Sequence, residues 1–213
     1  MKKKNRRTIC IALGFLAAFI LWTAAVTQID VQPIGPCGST VGFAALNSLV
    51  HGLAGVHMDL YAITDWLGLV PLGFVLGFGI LGLVQWIRRK HIRNVDRDLL
   101  ILGGFYIVVL VAYMLFELYP VNYRPVLIEG ILEASYPSST TMLVLTVMPT
   151  AAMQLRRRIR NPARRRIAVS AIIVFVAVMV VGRLVSGVHW FTDIVGGALL
   201  SVGLVMLYVF FAG

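Results

Sequence analysis

The sequence predicts an all-α fold, a polytopic membrane bundle of six transmembrane helices with an outer interfacial helical segment. Of the 213 residues, 59% are hydrophobic and only 13% are charged, which is more apolar side chain than one soluble core of this size buries. The apolar residues gather in runs long enough to cross a hydrocarbon layer as helices, about 17 to 25 residues each. The basic residues gather between these runs. We expect the surface formed by the apolar runs to face lipid.

Six apolar runs define the predicted spans, and the fourth is the shortest. The first run follows a basic N-terminus and resembles the start of a signal peptide. It is long and lacks a convincing cleavage pattern, so we expect an uncleaved span. The predicted spans are Ile9–Val26, Leu67–Ile87, Leu99–Tyr119, Thr141–Leu155 with its neighbours, Ile167–Val185 and Thr192–Phe211.

The distribution of basic residues predicts the orientation. Seventeen of the nineteen Lys and Arg residues lie in three clusters, with five before the first span, five in Arg88–Arg97 and seven in Arg156–Arg166. With six spans these clusters share one side, and short basic loops stay in the cytoplasm. We expect a plasma-membrane protein with both termini cytoplasmic and with Thr27–Trp66, Pro120–Pro137 and Ser186–Phe191 outside. Because topology accounts for the net charge of +10, no nucleic-acid partner is expected.

The chain is expected to form a single membrane domain, residues 1–213, because neither a repeat nor a linker divides it. Residues 1–8 form a basic cytoplasmic N-terminus, and residues 27–66 form the outer interfacial segment. Within this segment, Val41–Thr64 has apolar residues at helical spacing and predicts one or two amphipathic helices. These helices either cover a site or lie on the lipid headgroups.

Two arginines depart from the charge rule. The outward half of the protein holds seven acidic residues but, as fixed cations, just Arg124 and Arg183. An outward arginine beside a span suits an anionic substrate, because a guanidinium matches phosphate geometry. The alternative is that each arginine pairs with an outward acid.

The start of the fourth span predicts a further anion-binding element. Ser138, Ser139 and Thr140 stand at its threshold, after Pro137. Ser and Thr are preferred N-caps, and the free amide hydrogens of a helix N-terminus attract phosphate oxygens. Taken alone, the same residues are an ordinary helix cap.

His189 and Asp193 open the sixth span, four residues apart. On a helix this spacing puts both side chains on one face, so the carboxylate accepts from one imidazole nitrogen and leaves the other free as a nucleophile. Arg183 lies six residues before the histidine, across a short outer turn. The alternative is an interfacial histidine whose partner is only the local aspartate.

Together these residues resemble the signatures of the type 2 phosphatidic acid phosphatase family of membrane lipid phosphatases, which is related in fold to the vanadium haloperoxidases. That family carries Lys-x6-Arg-Pro, then Pro-Ser-Gly-His, then Ser-Arg-x5-His-x3-Asp. Order and spacing agree over residues 117–193, the signature region. The matching residues are Arg124 and Pro125, Pro137 and Ser138, and Arg183, His189 and Asp193.

The resemblance implies a phosphatase that needs neither a metal nor a cofactor and that forms a phosphohistidine intermediate. It makes His189 the nucleophile and Asp193 the residue that orients it. Two arginines and a helix N-terminus also suit the charge on a transferring phosphoryl group. The substrate-binding residues would be Arg124, Arg183, Ser138, Ser139 and Thr140.

Four positions depart from the family pattern. Glu117 replaces the lysine, Ser139 and Thr140 replace the glycine and histidine, and Gly182 replaces a serine. The missing histidine is the family's general acid, and a positioned acid contributes about 100- to 10,000-fold. A lipid diphosphate needs this help less, because its leaving group is a phosphate. We expect Glu117 to pair with one of the two outward arginines or, as the alternative, to replace the histidine as a neutral acid.

The sequence therefore predicts a lipid phosphatase or diphosphatase with its site on the outer face. Its partners would be the lipid bilayer and a lipid phosphate or diphosphate that reaches the site laterally. The alternative is a catalytically silent family member that binds lipid phosphates or a protein partner. A transporter is less consistent, because the two halves carry no paired broken helices. The sequence specifies neither the lipid nor the oligomeric state.

Overall fold

The computed structural model describes residues 3–212, which form eight α-helices and two short 3₁₀ turns. Six of the helices have 20 residues or more, enough to cover about 30 Å at 1.5 Å per residue. The helices are α1 (Lys3–Gln28), α2 (Ala44–Ala54), α3 (Met58–Leu67), α4 (Leu69–Arg89), α5 (Arg97–Leu118), α6 (Ser139–Arg158), α7 (Pro162–Val185) and α8 (Phe191–Ala212), and the turns are Pro36–Gly38 and Ile92–Asn94.

The predicted all-α membrane fold is confirmed, but the count of six spans is not. Five helical segments of the described chain are long and apolar enough to cross a membrane. They are Asn5–Gln28, Met58–Arg89, Arg97–Leu118, Pro162–Val185 and Phe191–Ala212. The predicted fourth span lies inside α6, which is outside this set.

Helix α6 differs from the other long helices because it lies in the middle of the bundle, in contact with α4, α5, α7 and α8. Several of its buried polar side chains form hydrogen bonds inside the protein. The hydroxyls of Thr146 and Thr150 donate to the carbonyls of Met142 and Thr146, at 2.7 and 3.0 Å, and Gln154 Nε2 donates to Tyr208 Oη at 2.7 Å. A helix shielded from lipid by its neighbours does not need a uniformly apolar sequence.

The outer surface of the bundle is apolar. Ile80 of α4, Leu110 of α5 and Val178 of α7 are 60%, 55% and 54% exposed. Many other large apolar side chains are exposed on the same helices. A surface of this kind is unusual for a protein surrounded by water and is expected for one surrounded by lipid. The protein is an integral membrane protein.

The long helices alternate in direction, which gives the bundle two chemically different ends. Helices α1 and α8 run antiparallel, with Leu16 packed against Gly203 and with Trp22 Nε1 donating to the Thr192 carbonyl at 3.2 Å. We call the end with the N-terminus of α8 the upper end and the opposite end the lower end. The upper end also holds α2, α3 and the connections before α6 and α8.

The lower end holds the basic clusters of the described chain. Arg89 pairs with Asp96 at 2.9 Å, and Arg158 pairs with Asp98 at 3.0 Å. Hydrogen bonds from Gln85 and Arg89 lower the pKa of Asp96. These ion pairs connect the ends of α4, α5 and α6 at this end of the bundle.

Helices α2 and α3 correspond to the one or two helices predicted for Val41–Thr64, and they pack on the upper end of the bundle. Asn47 of α2 exchanges two hydrogen bonds with Thr192, at 3.0 and 3.2 Å. Helix α3 lies against α7 at Gly182, where an added Cβ would be 2.8 Å from the Thr64 methyl group. The segment therefore covers the upper end of the bundle.

Candidate active site

His189 lies in the tight turn between α7 and α8 and is 3% exposed. Its Nδ1 is 3.6 Å from Asp193 Oδ2, slightly longer than a hydrogen bond. That carboxylate is fully buried and accepts from the Trp190 amide at 2.9 Å and from Asn122 Nδ2 at 3.3 Å. Asp193 is the third residue of α8, so its bond to the residue before the helix is half of a capping box. The carboxylate is thus fixed beside Nδ1.

The other ring nitrogen of His189 faces Arg124. Arg124 Nη1 lies 3.2 Å from Nε2, and a guanidinium only donates, so Nε2 accepts and carries a lone pair. Burial lowers the pKa of His189 to about 4, with Asp193 opposing the shift and Arg124 and Arg183 reinforcing it. The imidazole is therefore neutral at neutral pH, which is the form able to act as a nucleophile.

Arg124 is held in place by a short antiparallel contact in the connection between α5 and α6. Tyr123 and Ala134 form an isolated bridge, and the Arg124 amide donates to the Glu133 carbonyl at 3.0 Å. The Glu133 carboxylate then lies 2.9 Å from Arg124 Nε. Arg124 is 7% exposed, so this acid compensates a largely buried charge.

Arg183 lies in the last turn of α7 and is 1% exposed. Its Nη2 donates to Asp65 Oδ1 at 2.9 Å and to Thr140 Oγ1 at 2.5 Å. Its Nη1 donates to Thr64 Oγ1 at 3.4 Å. Arg183 therefore connects α7 with α3 and with the N-terminus of α6.

Tyr61 lies between the two arginines. The guanidinium carbon of Arg183 is 4.9 Å from the centre of the Tyr61 ring, and that of Arg124 is 5.7 Å away. Both distances are within the range of cation–π attraction. The ring gives each guanidinium group a favourable contact. These contacts partly offset the repulsion between the two positive charges.

The N-terminus of α6 reaches the same place. Ser138 is the N-cap, and its Oγ accepts from the Thr141 amide at 3.4 Å. The Ser138 amide donates to the Asp193 carbonyl at 3.1 Å, which joins this cap to the turn that carries His189. Thr140 contacts Arg183, and Ser139 is half-buried.

An apolar groove of about 950 Å³ begins beside this cluster and runs down the bundle between α4, α5 and α6. Asp65, Ser139 and Thr140 line its upper end, and Trp86 and Leu99 line its lower end. Its walls are predominantly apolar. The groove has the length and the lining of a site for an extended hydrocarbon chain.

The profile of the PAP2 superfamily matches residues 113–212. Over these residues the chain belongs to the PAP2 superfamily. This confirms the resemblance to the type 2 phosphatidic acid phosphatase family, because the match includes Arg124, Arg183, His189 and Asp193.

A solved structure shows the PAP2 fold over almost the whole chain. It is the crystal structure of the first transmembrane PAP2 type phosphatidylglycerolphosphate phosphatase from Bacillus subtilis, which aligns with a TM-score of 0.59 and 20% sequence identity. The alignment covers 93% of this chain and 94% of that chain. No curated protein sequence matches the chain significantly.

Glu117, at the position of the PAP2 lysine, does not form the arginine pair expected from the sequence. In the described chain Arg124 pairs with Glu133, and Arg183 pairs with Asp65. Glu117 is exposed near the C-terminus of α5, where it lines a small cavity that Ser139 also lines. No contact with either arginine supports Glu117 as the substitute acid.

The other departures from the PAP2 pattern have local explanations. Thr140, at the position of the histidine, accepts a hydrogen bond from Arg183. Gly182, at the position of the serine, leaves room for α3, because any side chain would meet Thr64. Both changes accompany the close approach of α3 to the site.

Sequence reasoning missed four residues of the cluster: Tyr61, Asp65, Asn122 and Glu133. A signal was present for three of them. One face of α3 carries Tyr61, Thr64 and Asp65 at helical spacing. In addition, few acidic residues besides Asp65 and Glu133 are available to pair with two buried arginines. The partner of each arginine was still not determined by local pattern.

Proposed function

We propose that the protein is a membrane lipid phosphatase or diphosphatase that works through a phosphohistidine intermediate. One observation carries the proposal: a neutral, buried His189 presents the Nε2 lone pair to Arg124 at 3.2 Å. Membership of the PAP2 superfamily supports this function at the family level. Hydrolysis of a phosphate bond is the reaction that such a nucleophile beside two arginines performs best.

Arg124 and Arg183 hold the phosphoryl oxygens in this proposal. Tyr61 keeps both guanidinium groups at one place. The α6 N-terminus, with Ser138, Ser139 and Thr140, adds amide hydrogens and hydroxyls. These donors stabilise the charge that spreads over the equatorial oxygens during transfer.

His189 supplies the bond-forming step. Its Nε2 attacks phosphorus, the bond to the leaving oxygen breaks, and the ring becomes a phosphorylated imidazolium. Asp193, beside Nδ1 at 3.6 Å, compensates the positive charge that develops on the ring. Water then attacks the phosphohistidine, releases phosphate and restores the neutral imidazole.

The apolar groove supports a lipid as the substrate. A hydrocarbon chain lying between α4, α5 and α6 places its headgroup beside Asp65 and Thr140, which both contact Arg183. The structural neighbour is named for a glycerophospholipid substrate with a terminal phosphate. A lipid monophosphate or diphosphate that enters laterally from the bilayer fits this arrangement.

The charge distribution supports an orientation with the site outside the cell. The basic clusters lie at the lower end, and the cluster around His189 lies at the upper end. With the basic end retained in the cytoplasm of a plasma-membrane protein, both termini are cytoplasmic and the site faces outward.

The test is phosphate release from lipid mono- and diphosphates by the purified protein in detergent. His189→Ala is expected to abolish release, whereas the matched variant His91→Ala, at the lower end, retains it. Acid quench of the wild type with labelled substrate is expected to trap a phosphorylated histidine. Release that is unchanged in His189→Ala would contradict the mechanism.

The departures at Glu117 and Thr140 support one alternative, a catalytically silent member that binds lipid phosphates or a protein partner. The same experiment separates the two functions. Binding of a lipid phosphate without any release of phosphate in the wild type supports the silent protein.

A further inference from the structure

Proton transfer to the leaving group has no assigned residue in the proposed reaction. When the bond from phosphorus to a lipid alcohol breaks, the departing alkoxide needs a proton. The donor must lie on the side of the phosphate that faces the lipid chain. In this protein that side is the mouth of the apolar groove, where Asp65, Ser139 and Thr140 line its upper end.

Two of the carboxylates near the cluster are on other sides of it. Asp193 is fully buried behind His189, and both of its oxygens accept hydrogen bonds, from Trp190 and Asn122. Glu133 lies against Arg124 Nε, and neither it nor Asp193 lines the groove.

Asp65 has the position that the other carboxylates lack. Its Oδ1 is 2.9 Å from Arg183 Nη2, and the same nitrogen is 2.5 Å from Thr140 Oγ1. The carboxylate and the threonine hydroxyl therefore both accept hydrogen bonds from one guanidinium nitrogen at the groove mouth. The side chain of Asp65 is 58% exposed, so a substrate can reach it, whereas Asp193 is at 0%.

We propose that Asp65 is the general acid and base of the reaction, an assignment that rests on the proposed phosphatase function. As His189 Nε2 bonds to phosphorus, the bond to the leaving oxygen breaks and that oxygen takes the proton from the Asp65 carboxyl group. The resulting carboxylate then accepts a proton from the water that attacks the phosphohistidine. This returns the acid form and releases inorganic phosphate, so protons balance over the cycle.

A phosphate that binds Arg183 shares this guanidinium group with Asp65, whose Oδ1 lies 2.9 Å from Nη2. The Asp65 carboxyl group therefore stands beside the bound headgroup, on the side where the alcohol leaves.

Leaving-group dependence tests the assignment. We compare Asp65→Asn with the wild type on dodecyl phosphate, which releases an alkoxide, and on 4-dodecyl-2-nitrophenyl phosphate, which releases a stable phenolate. Product release is followed in the first turnover, before hydrolysis of the intermediate limits the rate. The alkyl substrate is expected to slow by about 100- to 10,000-fold, and the nitrophenyl substrate by no more than a few-fold.

Matched variants separate proton transfer from support of an arginine. Glu133→Gln removes the carboxylate of the other ion pair and is expected to slow both substrates by the same factor. Asp65→Glu is expected to recover part of the rate on dodecyl phosphate. An equal loss on both substrates in Asp65→Asn would show that Asp65 only positions Arg183.

The first-turnover burst distinguishes this inference from the proposed function. A wild-type burst of nitrophenolate that His189→Ala abolishes supports the nucleophile whatever Asp65 does. If the wild type releases no nitrophenolate in the first turnover, or if His189→Ala releases it equally fast, the phosphohistidine mechanism itself is overturned.

Discussion

Arg124 Nη1 donates to His189 Nε2 at 3.2 Å, so the guanidinium group proposed to bind phosphate already contacts the proposed nucleophile. In the proposed mechanism, attack on phosphorus requires Arg124 to exchange this contact for one with a phosphoryl oxygen. We expect Nε2 to stay shielded until an anion binds.

Arg124→Ala is therefore expected to lower kcat/KM for a lipid phosphate by about 100- to 1,000-fold, as loss of a transition-state donor does. The measurement is steady-state phosphate release. Arg160→Ala, which removes an exposed arginine from the connection between α6 and α7, is the control and is expected to behave like the wild type. Similar rates in both variants would remove Arg124 from the phosphate site.

The pH dependence of stability follows from the burial of His189. Its pKa is lowered from 6.5 to about 4, so the unfolded chain binds a proton more readily than the folded protein. The stability that neutral His189 contributes is complete above pH 6.5 and is lost as the pH falls toward 4. The loss amounts to at most about 3 kcal/mol.

The measurement is the melting temperature of the wild type and of His189→Gln over this pH interval. The two curves are expected to converge as the pH falls, because only the wild type carries the buried imidazole. Other titrating groups are common to both proteins and cancel in the difference. Parallel curves would show that His189 is already protonated or is exposed.

Gly182→Ser restores the residue of the PAP2 signature but is expected to destabilise this protein by about 1–3 kcal/mol. The added Cβ would stand 2.8 Å from the Thr64 methyl group and push α3 away from α7. Thr64→Ser removes that methyl group and keeps the hydroxyl, so the double variant is expected to recover stability. Additive losses in thermal unfolding would mean that the two residues are not in contact.

Tyr61→Leu is expected to raise KM for a lipid phosphate several-fold, because both arginines lose a cation–π contact worth about 0.5–1 kcal/mol. Tyr61→Phe keeps the ring and is expected to stay near the wild-type KM. If Tyr61→Phe is as impaired as Tyr61→Leu, the hydroxyl matters rather than the ring.

Much of the fold follows from the sequence because long apolar runs between basic clusters leave few arrangements open. Helix α6 is the exception, because its sequence is less apolar than that of the other long helices. Thr146, Thr150 and Gln154 lower its hydropathy, and only the packed bundle shows that these side chains bond to nearby carbonyls and to Tyr208. A local pattern cannot distinguish a central helix from a weak span.

The candidate site divides in the same way. His189 and Asp193 are four residues apart, so helical geometry alone brings them together. Asp65 and Arg183 are separated by 118 residues, and their pairing depends on how α3 docks on α7. The expectation for Glu117 failed for this reason, since other acids reach the two arginines through tertiary contacts.

The docking of α3 on α7 also determines when the cluster can form during synthesis. Tyr61 and Asp65 leave the ribosome early, whereas Arg183 and His189 lie in the last third of the chain. The glycine turn at Gly187 fits against the main chain of Gly55, so the early and late segments fit together as one unit. A nascent protein therefore enters the bilayer with its candidate site incomplete. The residues of the site come together only when the hairpin of α7 and α8 has been inserted.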